Sequence, residues 1–417
     1  MVDRPKGVVV GAGFGGVQVA RSLLGAPVDV TIIDRQNYTT FQPLLYQVAT
    51  SGLPAADVAY PVRGMFPRQD NVRFRYGTVV GVDWDARLVQ LDGQEPLAFD
   101  HLVLAAGAGA RWFGVPGAAE WAFPLYTLDE ASHLRNHIVQ QFEAAEVVPE
   151  RIDDGVLTFV VVGGGPTGVE TAGALSELVT KVFRSDYPDL DVARARVVLV
   201  EAQDSVLTAL HPKSQAAAVQ GLEERGVELR LGESVAEVSR SSVKLSGGEV
   251  LPAHTVVWCA GVSPNPLAET LGLPTGRGGR VTVSPDLSVV DRPGAWAIGD
   301  VAAVPDKDGM PLPQVAPVAM QSGRHVGRQI ARLVTGRGTQ RFRYKDKGTM
   351  ATIGRRDAVA DLPGGLHLTG TIGWLSWLAL HLLYLSGVRN RVSVLLNWGW
   401  AYVTWDRPRL ILRPQRR

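Results

Sequence analysis

Two short glycine-rich segments carry the chemistry this sequence can be read for. They are Gly11-Ala12-Gly13-Phe14-Gly15-Gly16 and Gly163-Gly164-Gly165-Pro166-Thr167-Gly168. Glycines at this spacing permit a tight turn and let backbone approach a pyrophosphate, which the free N–H groups of a following helix then bind. A lone turn of this kind is weak evidence, because glycines between a strand and a helix often serve packing alone. A carboxylate at the end of the next strand, placed to hydrogen-bond a ribose, strengthens it. Asp34 closes Val30-Thr31-Ile32-Ile33-Asp34, and Glu201 closes Val197-Val198-Leu199-Val200-Glu201. Two dinucleotides on one polypeptide, with an electron path from one to the other, is the leading expectation. Glu201 accepts from a 2′-hydroxyl and repels a 2′-phosphate, and no arginine follows it in Ala202-Gln203-Asp204, so NADH is expected rather than NADPH.

The elements that must position these residues are legible in outline. Each glycine turn follows a β-branched run, Gly7–Val10 or Phe159–Val162, that reads as a buried parallel strand. The second carboxylate comes later than the first, and the extra length around Arg184–Asp189 reads as a longer helix and loop. Leu102–Gly107 and Val256–Gly261 close the two units with small residues that let backbone approach a ligand. A late Ala295–Asp300 run ends in Gly299-Asp300. This alternation predicts an α/β protein with two Rossmann-like domains. The boundaries read as 1–115 with 267–335 for one, 116–266 for the other, and 336–417 as a C-terminal region of different character.

That region is aromatic, apolar and arginine-rich. Residues 372–385 and 392–405 are two fourteen-residue apolar helix candidates, and five of the ten tryptophans fall between 374 and 405. Arg389, Arg391, Arg407, Arg409, Arg413, Arg416 and Arg417 lie between and after the helices, against Asp406 alone. Tryptophan favours the headgroup layer and arginine attracts anionic lipid. Fourteen helical residues rise about 21 Å, short of the ~30 Å hydrocarbon core. The expectation is two helices lying in one leaflet, with a buried dimerisation or core surface as the competing use.

Composition removes other classes. Net charge is +1, which gives no global attraction to nucleic acid. The single cysteine, Cys259, precludes an intrachain disulfide and a cysteine zinc site, and the eight histidines show no metal-ligand spacing. No signal-peptide pattern precedes the first strand, so a reduced, cytoplasm-facing location is expected.

Asp34, Glu201 and the late Ala-Ile-Gly-Asp together resemble the two-dinucleotide-binding flavoproteins. Within them the chain resembles the type II NADH dehydrogenases, single-subunit NADH:quinone oxidoreductases that do not pump protons. Phe41–Ala49, Val161–Glu170, Ala316–Gln321 and Lys347–Gly354 are similar to that family's segments, and Tyr38–Ala49 lacks the cysteine that thiol-using relatives need. The resemblance implies non-covalent FAD on Gly11, Gly13, Gly15, Gly16, Asp34, Arg35 and Gly107, completed by Gly299, Asp300 and Ala316. It implies NADH on Gly163, Gly165, Thr167, Gly168, Glu170, Glu201 and Gly261. It implies a membrane quinone near Gln47, Pro317 and Gln321, a homodimer, and a peripheral place on the cytoplasmic face of the membrane in a respiratory chain. Glu170, Lys347 and Gln321 become the catalytic candidates, with a Glu170–Lys347 pair tuning the flavin or supplying protons. Pro317 departs from the family's Ala-Gln-x-Ala-x-Gln motif, so a polar contact to the quinone is lost there; proline suits a first helical turn. A soluble reductase of a ferredoxin or rubredoxin, or a flavin redox sensor, would share the nucleotide units without needing the Trp/Arg tail.

Overall fold

The computed structural model describes residues 4–276 and 278–404. The arginines and tryptophan expected from Trp405 to Arg417 lie outside the described residues. The chain packs as two compact units: one of residues up to Thr39, Tyr60–Gly109 and Val262–Asp346, the other of Thr40–Ala59, Ala110–Gly261 and Lys347 onward.

The first unit is built on a five-stranded sheet ordered Ala295–Ala297, His101–Leu104, Lys6–Val10, Asp29–Asp34, Val72–Tyr76. Every neighbouring pair runs parallel. The β-branched run Gly7–Val10 occupies the centre and is buried throughout, as expected of a strand covered on both faces. From it the order departs in both directions, so the turn after Val10 lies at the topological switch point, where such sheets bind ligands. The helix Phe14–Ser22 follows that turn, and the helix Ala316–Leu333 crosses close to it, since a Cβ on Gly323 would strike the Gly15 carbonyl.

The second unit repeats the plan. Its parallel sheet is ordered Phe123–Pro124, Thr255–Trp258, Thr158–Val162, Arg196–Glu201, Val227–Leu231, again with the fingerprint strand central and fully buried. The second nucleotide helix, Pro166–Glu177, continues through a π-helical stretch Leu178–Phe183 into Arg184–Asp186. That extension accounts for the late arrival of Glu201.

The packing groups differ from the sequence boundaries. The C-terminal region is not set apart: residues 336–346 pack with the first unit, and from Lys347 the chain folds with the second nucleotide unit, as does Thr40–Ala59. A three-stranded antiparallel sheet, Thr349–Gly354, Asp357–Leu362 and Leu366–Thr369, lies on the second nucleotide helix so closely that a Cβ on Gly173 would meet the Ile353 carbonyl. It leads into the first tail helix, Gly370–Tyr384, and then the second, Val388–Thr404. Buried Asp57 accepts from Ser393 Oγ at 2.9 Å and Asn397 Nδ2 at 2.7 Å, while Asn390 Nδ2 donates to the Asp57 and Ala59 carbonyls. These bonds tie Thr40–Ala59 to the tail.

The second tail helix starts four residues before its expected position, which corrects the placing of Arg389 and Arg391 between helices. Gly387, at φ +84°, makes the sharp turn. Arg391 then reaches back to the carbonyls of Leu385 and Leu383, both at 2.8 Å, and satisfies the end of the first tail helix. Both helices leave apolar side chains in the open, among them Ile372, Leu375, Leu383, Leu395, Leu396 and Trp400. No helix among the described residues is long and apolar enough to cross a membrane.

Candidate functional site

At the first turn, Gly11 has φ +109°, and a Cβ there would strike the Ala105 carbonyl. Only glycine fits. Gly13 is the opposite case: a Cβ would meet nothing within 4 Å, so the turn opens a space. Gly13 is also the N-cap of the helix Phe14–Ser22, and no side chain caps it, leaving the first N–H groups for an anion. Asp34 Oδ2 accepts from Ala12 N at 2.6 Å and Oδ1 from Gln36 N at 2.8 Å. Burial pushes this carboxyl above its ordinary value despite those bonds. Each oxygen keeps an accepting position for a ribose hydroxyl. Arg35 is exposed beside it.

Gly107 and Gly299 both take positive φ, +70° and +65°. Asp300 lies in the short 3-10 turn Gly299–Val301, and its carbonyl accepts from Gln314 Nε2 at 2.9 Å. Ala316 and Pro317 open the helix Ala316–Leu333, so the proline occupies a first turn where no N–H partner is forfeited. Gln321 is engaged: its Nε2 donates to the Lys345 carbonyl at 2.8 Å and its Oε1 accepts from Lys345 N at 3.0 Å. One amide hydrogen and one lone pair stay available to a ligand.

The second turn reproduces the first. Gly163 has φ +106°, and Gly168 approaches so closely that its Cβ would strike the Gly163 carbonyl. Gly165 is an uncapped, extended N-cap with open space beside it, and Pro166 and Thr167 follow in the first helical turn. Glu201 accepts from Gly164 N with one oxygen and from Gln203 N, at 2.8 Å, with the other. Gly261, φ +136°, lies just past the strand Thr255–Trp258, which pairs with the fingerprint strand.

Glu170 sits one turn into the second nucleotide helix and is 7 % exposed. Its Oε1 accepts from Thr352 N at 3.3 Å and from Trp377 Nε1 at 3.1 Å. Burial raises its pKa from 4.5 to about 8, and the two hydrogen bonds oppose the rise. The expected pair with Lys347 does not form. Lys347 is exposed, on the chain just before the strand Thr349–Gly354, and it is that strand's backbone that meets the carboxyl. With no cation paired to it among the described residues, burial governs the group. Desolvation likewise pushes the neighbouring Cys259 thiol up to about 12, too high for thiolate chemistry.

Around Glu170 is an aromatic cluster that the sequence reading missed. Trp377 is 1 % exposed and stacks on His381 at 4.0 Å between ring centroids. Tyr46 meets it edge-on at 6.3 Å and Trp398 lies at 6.1 Å. Gln47 joins the cluster, accepting from Trp398 Nε1 at 2.8 Å and donating to the Tyr46 hydroxyl at 2.9 Å. Burial lowers the His381 pKa to about 4, so the ring is neutral. Against the expectation that such tryptophans lie in the headgroup layer, Trp377 and Trp398 donate their N–H groups to Glu170 and Gln47. The available signal was the i, i+4 spacing of Trp377 and His381, which puts both on one helix face.

The family pattern of pyridine nucleotide-disulphide oxidoreductases matches residues 5–323, and that of the NDH2 C-terminal domain matches 347–404. The type II NADH:quinone oxidoreductases NdhA and Ndh of Mycobacterium tuberculosis are 38% and 39% identical to this chain. Each alignment spans 99% of it, with 90% and 91% of the relative. Plasmodium falciparum NDH2, solved in complex with NADH, shares the fold at a TM-score of 0.91 and 18% identity, over 98% of this chain and 100% of that one.

Proposed function

Because the chain belongs to the type II NADH:quinone oxidoreductases, we infer that it oxidises NADH and reduces a quinone to the quinol through FAD. The observation that carries this is the likeness over 99% of the chain to relatives of that activity, joined to two uncapped glycine turns each closed by a hydrogen-bonded carboxylate. The disulfide chemistry of the wider family needs two thiols, and the sequence has one cysteine.

The residues fit both nucleotides. Gly11, Gly13, Gly15 and Gly16 cradle the FAD pyrophosphate, Asp34 takes its ribose, and Arg35, Gly107, Gly299, Asp300 and Ala316 complete the site. Gly163, Gly165, Thr167, Gly168 and Gly261 do the same for NADH, and Glu201 selects against a 2′-phosphate. When bound, FAD supplies the couple that accepts a hydride and releases two electrons. The overall balance is NADH, one proton and quinone giving NAD⁺ and quinol.

The protein manages the protons. With a pKa of about 8, Glu170 carries a proton at neutral pH and is suited to give it up and regain it. Gln47 and Gln321 are the amides offered to the quinone carbonyls, with Pro317 forfeiting a third. Lys347, unpaired with Glu170, serves as an exposed positive charge. The open apolar faces of the tail helices rest on lipid, where the quinone resides, on the side of the membrane that meets NADH. A homodimer presenting both pairs of tail helices to one surface is part of this reading.

Steady-state NADH oxidation with short-chain ubiquinone and menaquinone analogues, run beside ferredoxin as acceptor, tests it. Turnover with a quinone and none with ferredoxin is expected; the reverse would overturn the assignment. Flotation with vesicles tests the lipid contact.

A further inference from the structure

We propose that Trp377, on the first tail helix, is the positioning residue that fixes the Glu170 carboxyl and keeps it able to both release and recover its proton during turnover. This rests on the role assigned to Glu170 above.

The indole N–H can donate but has nothing with which to accept. Set 3.1 Å from Glu170 Oε1, it therefore favours the ionised carboxylate and takes no part as a proton carrier. Its geometry is held from several sides. The His381 ring stacks on it at 22°, and His381 Nδ1 lies 2.8 Å from the Trp377 carbonyl, fixing that ring in turn. Tyr46 and Trp398 close the other sides. One helical turn earlier, Gly373 lets the tail helix lie against the antiparallel sheet: a Cβ there would come within 2.5 Å of the Ala358 carbonyl. The indole thus reaches a carboxyl on another helix only because glycine permits the approach.

The groups facing Glu170 are few. Thr352 N is the other donor to Oε1, from the antiparallel sheet. Cys259, after the strand Thr255–Trp258, presents a neutral thiol. His381 is neutral, and Tyr46 faces the indole. No lysine or arginine forms an ion pair with Glu170 among the described residues, so the hydrogen bonds carry the stabilisation of the carboxylate. Removing one of two leaves burial less opposed. The same tail helix exposes Ile372, Leu375 and Leu383 on its other side. Its apolar face and its tryptophan thus belong to one rigid element, which contributes to the chemistry and not to attachment alone.

The test is the pH profile of NADH:quinone turnover in FAD-loaded W377F, W377H, H381A, E170Q and the unaltered protein. W377F keeps the ring and loses the donor. Its alkaline limb should move upward by about one pH unit or more, the size of a hydrogen bond to a charged group. The fall should be in kcat, with the KM for NADH unchanged. W377H, which retains a ring N–H, should bring the limb part of the way back. H381A, which frees the indole from its stack, should move the limb in the same direction by less, and stands in if W377F fails to retain flavin. A merely structural role would lower the rate at every pH and leave the limb in place; that result in W377F, or in H381A when it is the readable variant, overturns the proposal. E170Q separates the two readings. If E170Q removes the limb while W377F leaves it unmoved, the Trp377 proposal alone fails. If E170Q keeps the limb, the reading of Glu170 fails and takes this proposal with it.

Discussion

Replacing Glu170 with glutamine should make the protein relatively more stable in alkali. The carboxyl has a pKa of about 8 in the folded chain against 4.5 for the free group. The folded state therefore holds a proton that the unfolded chain releases above pH 4.5. Stability from this group is fully present below pH 4.5, declines as the pH rises, and is exhausted above about 8. A difference of some three and a half units corresponds to about 5 kcal/mol, since each unit is about 1.4 kcal/mol. Glutamine does not titrate, and its Oε1 can still accept from Thr352 N and Trp377 Nε1 at 3.3 and 3.1 Å. The assay is the Tm of FAD-loaded wild type and E170Q at pH 5 and pH 9. The gap between them should shift in favour of E170Q by several kcal/mol across that span. Titration of His381 and His137, whose pKa values burial holds near 4, is common to both proteins and cancels in the difference. A gap that stays constant from pH 5 to 9 would refute the claim that burial keeps this carboxyl protonated. Turnover should fall by about 10²-fold or more, the smaller end of what a positioned proton donor contributes.

Three other outcomes follow from the geometry. Gly168→Ala drives a Cβ into the Gly163 carbonyl, so the protein should keep its flavin while NADH-driven bleaching weakens sharply. Glu201→Ala removes the acceptor for Gly164 N and Gln203 N and the repulsion of a 2′-phosphate; the KM for NADH should rise and the preference over NADPH shrink, as steady-state rates with both nucleotides will show. Leu396 is 67% exposed on the open apolar side of the second tail helix, so Leu396→Asp should weaken flotation with anionic vesicles while kcat with a water-soluble quinone holds.

The nucleotide units were readable because their physics is local. A β-branched run, a glycine turn and a terminal carboxylate all lie between Gly7 and Asp34, and burial of Val8, Val9 and Val10 follows from the run itself. The delay before Glu201 was visible as length, and its π-helical form was not, since that depends on how Leu178–Phe183 packs. The tail was legible as two apolar helices; what their residues touch was not. Trp377 and Trp374 look alike in sequence, yet one is buried against Glu170 and the other is only partly covered. The difference lies in contacts between residues more than 200 positions apart. Lys347 was expected beside Glu170 because the family resemblance implied the pair; the sequence itself says nothing of which side the lysine takes, and it lies exposed. Asp57, which anchors the second tail helix, gave no signal at all, being a single carboxylate in the short helix Ala55–Val58.

The most direct test of the central claim is anaerobic stopped-flow absorbance near 450 nm. The flavoprotein is mixed first with NADH and then with a short-chain quinone. Rapid bleaching is expected, followed by recovery of the oxidised spectrum as fast as steady-state turnover. Bleaching with no recovery on adding quinone would contradict it, and would mean that the electrons leave to a different acceptor.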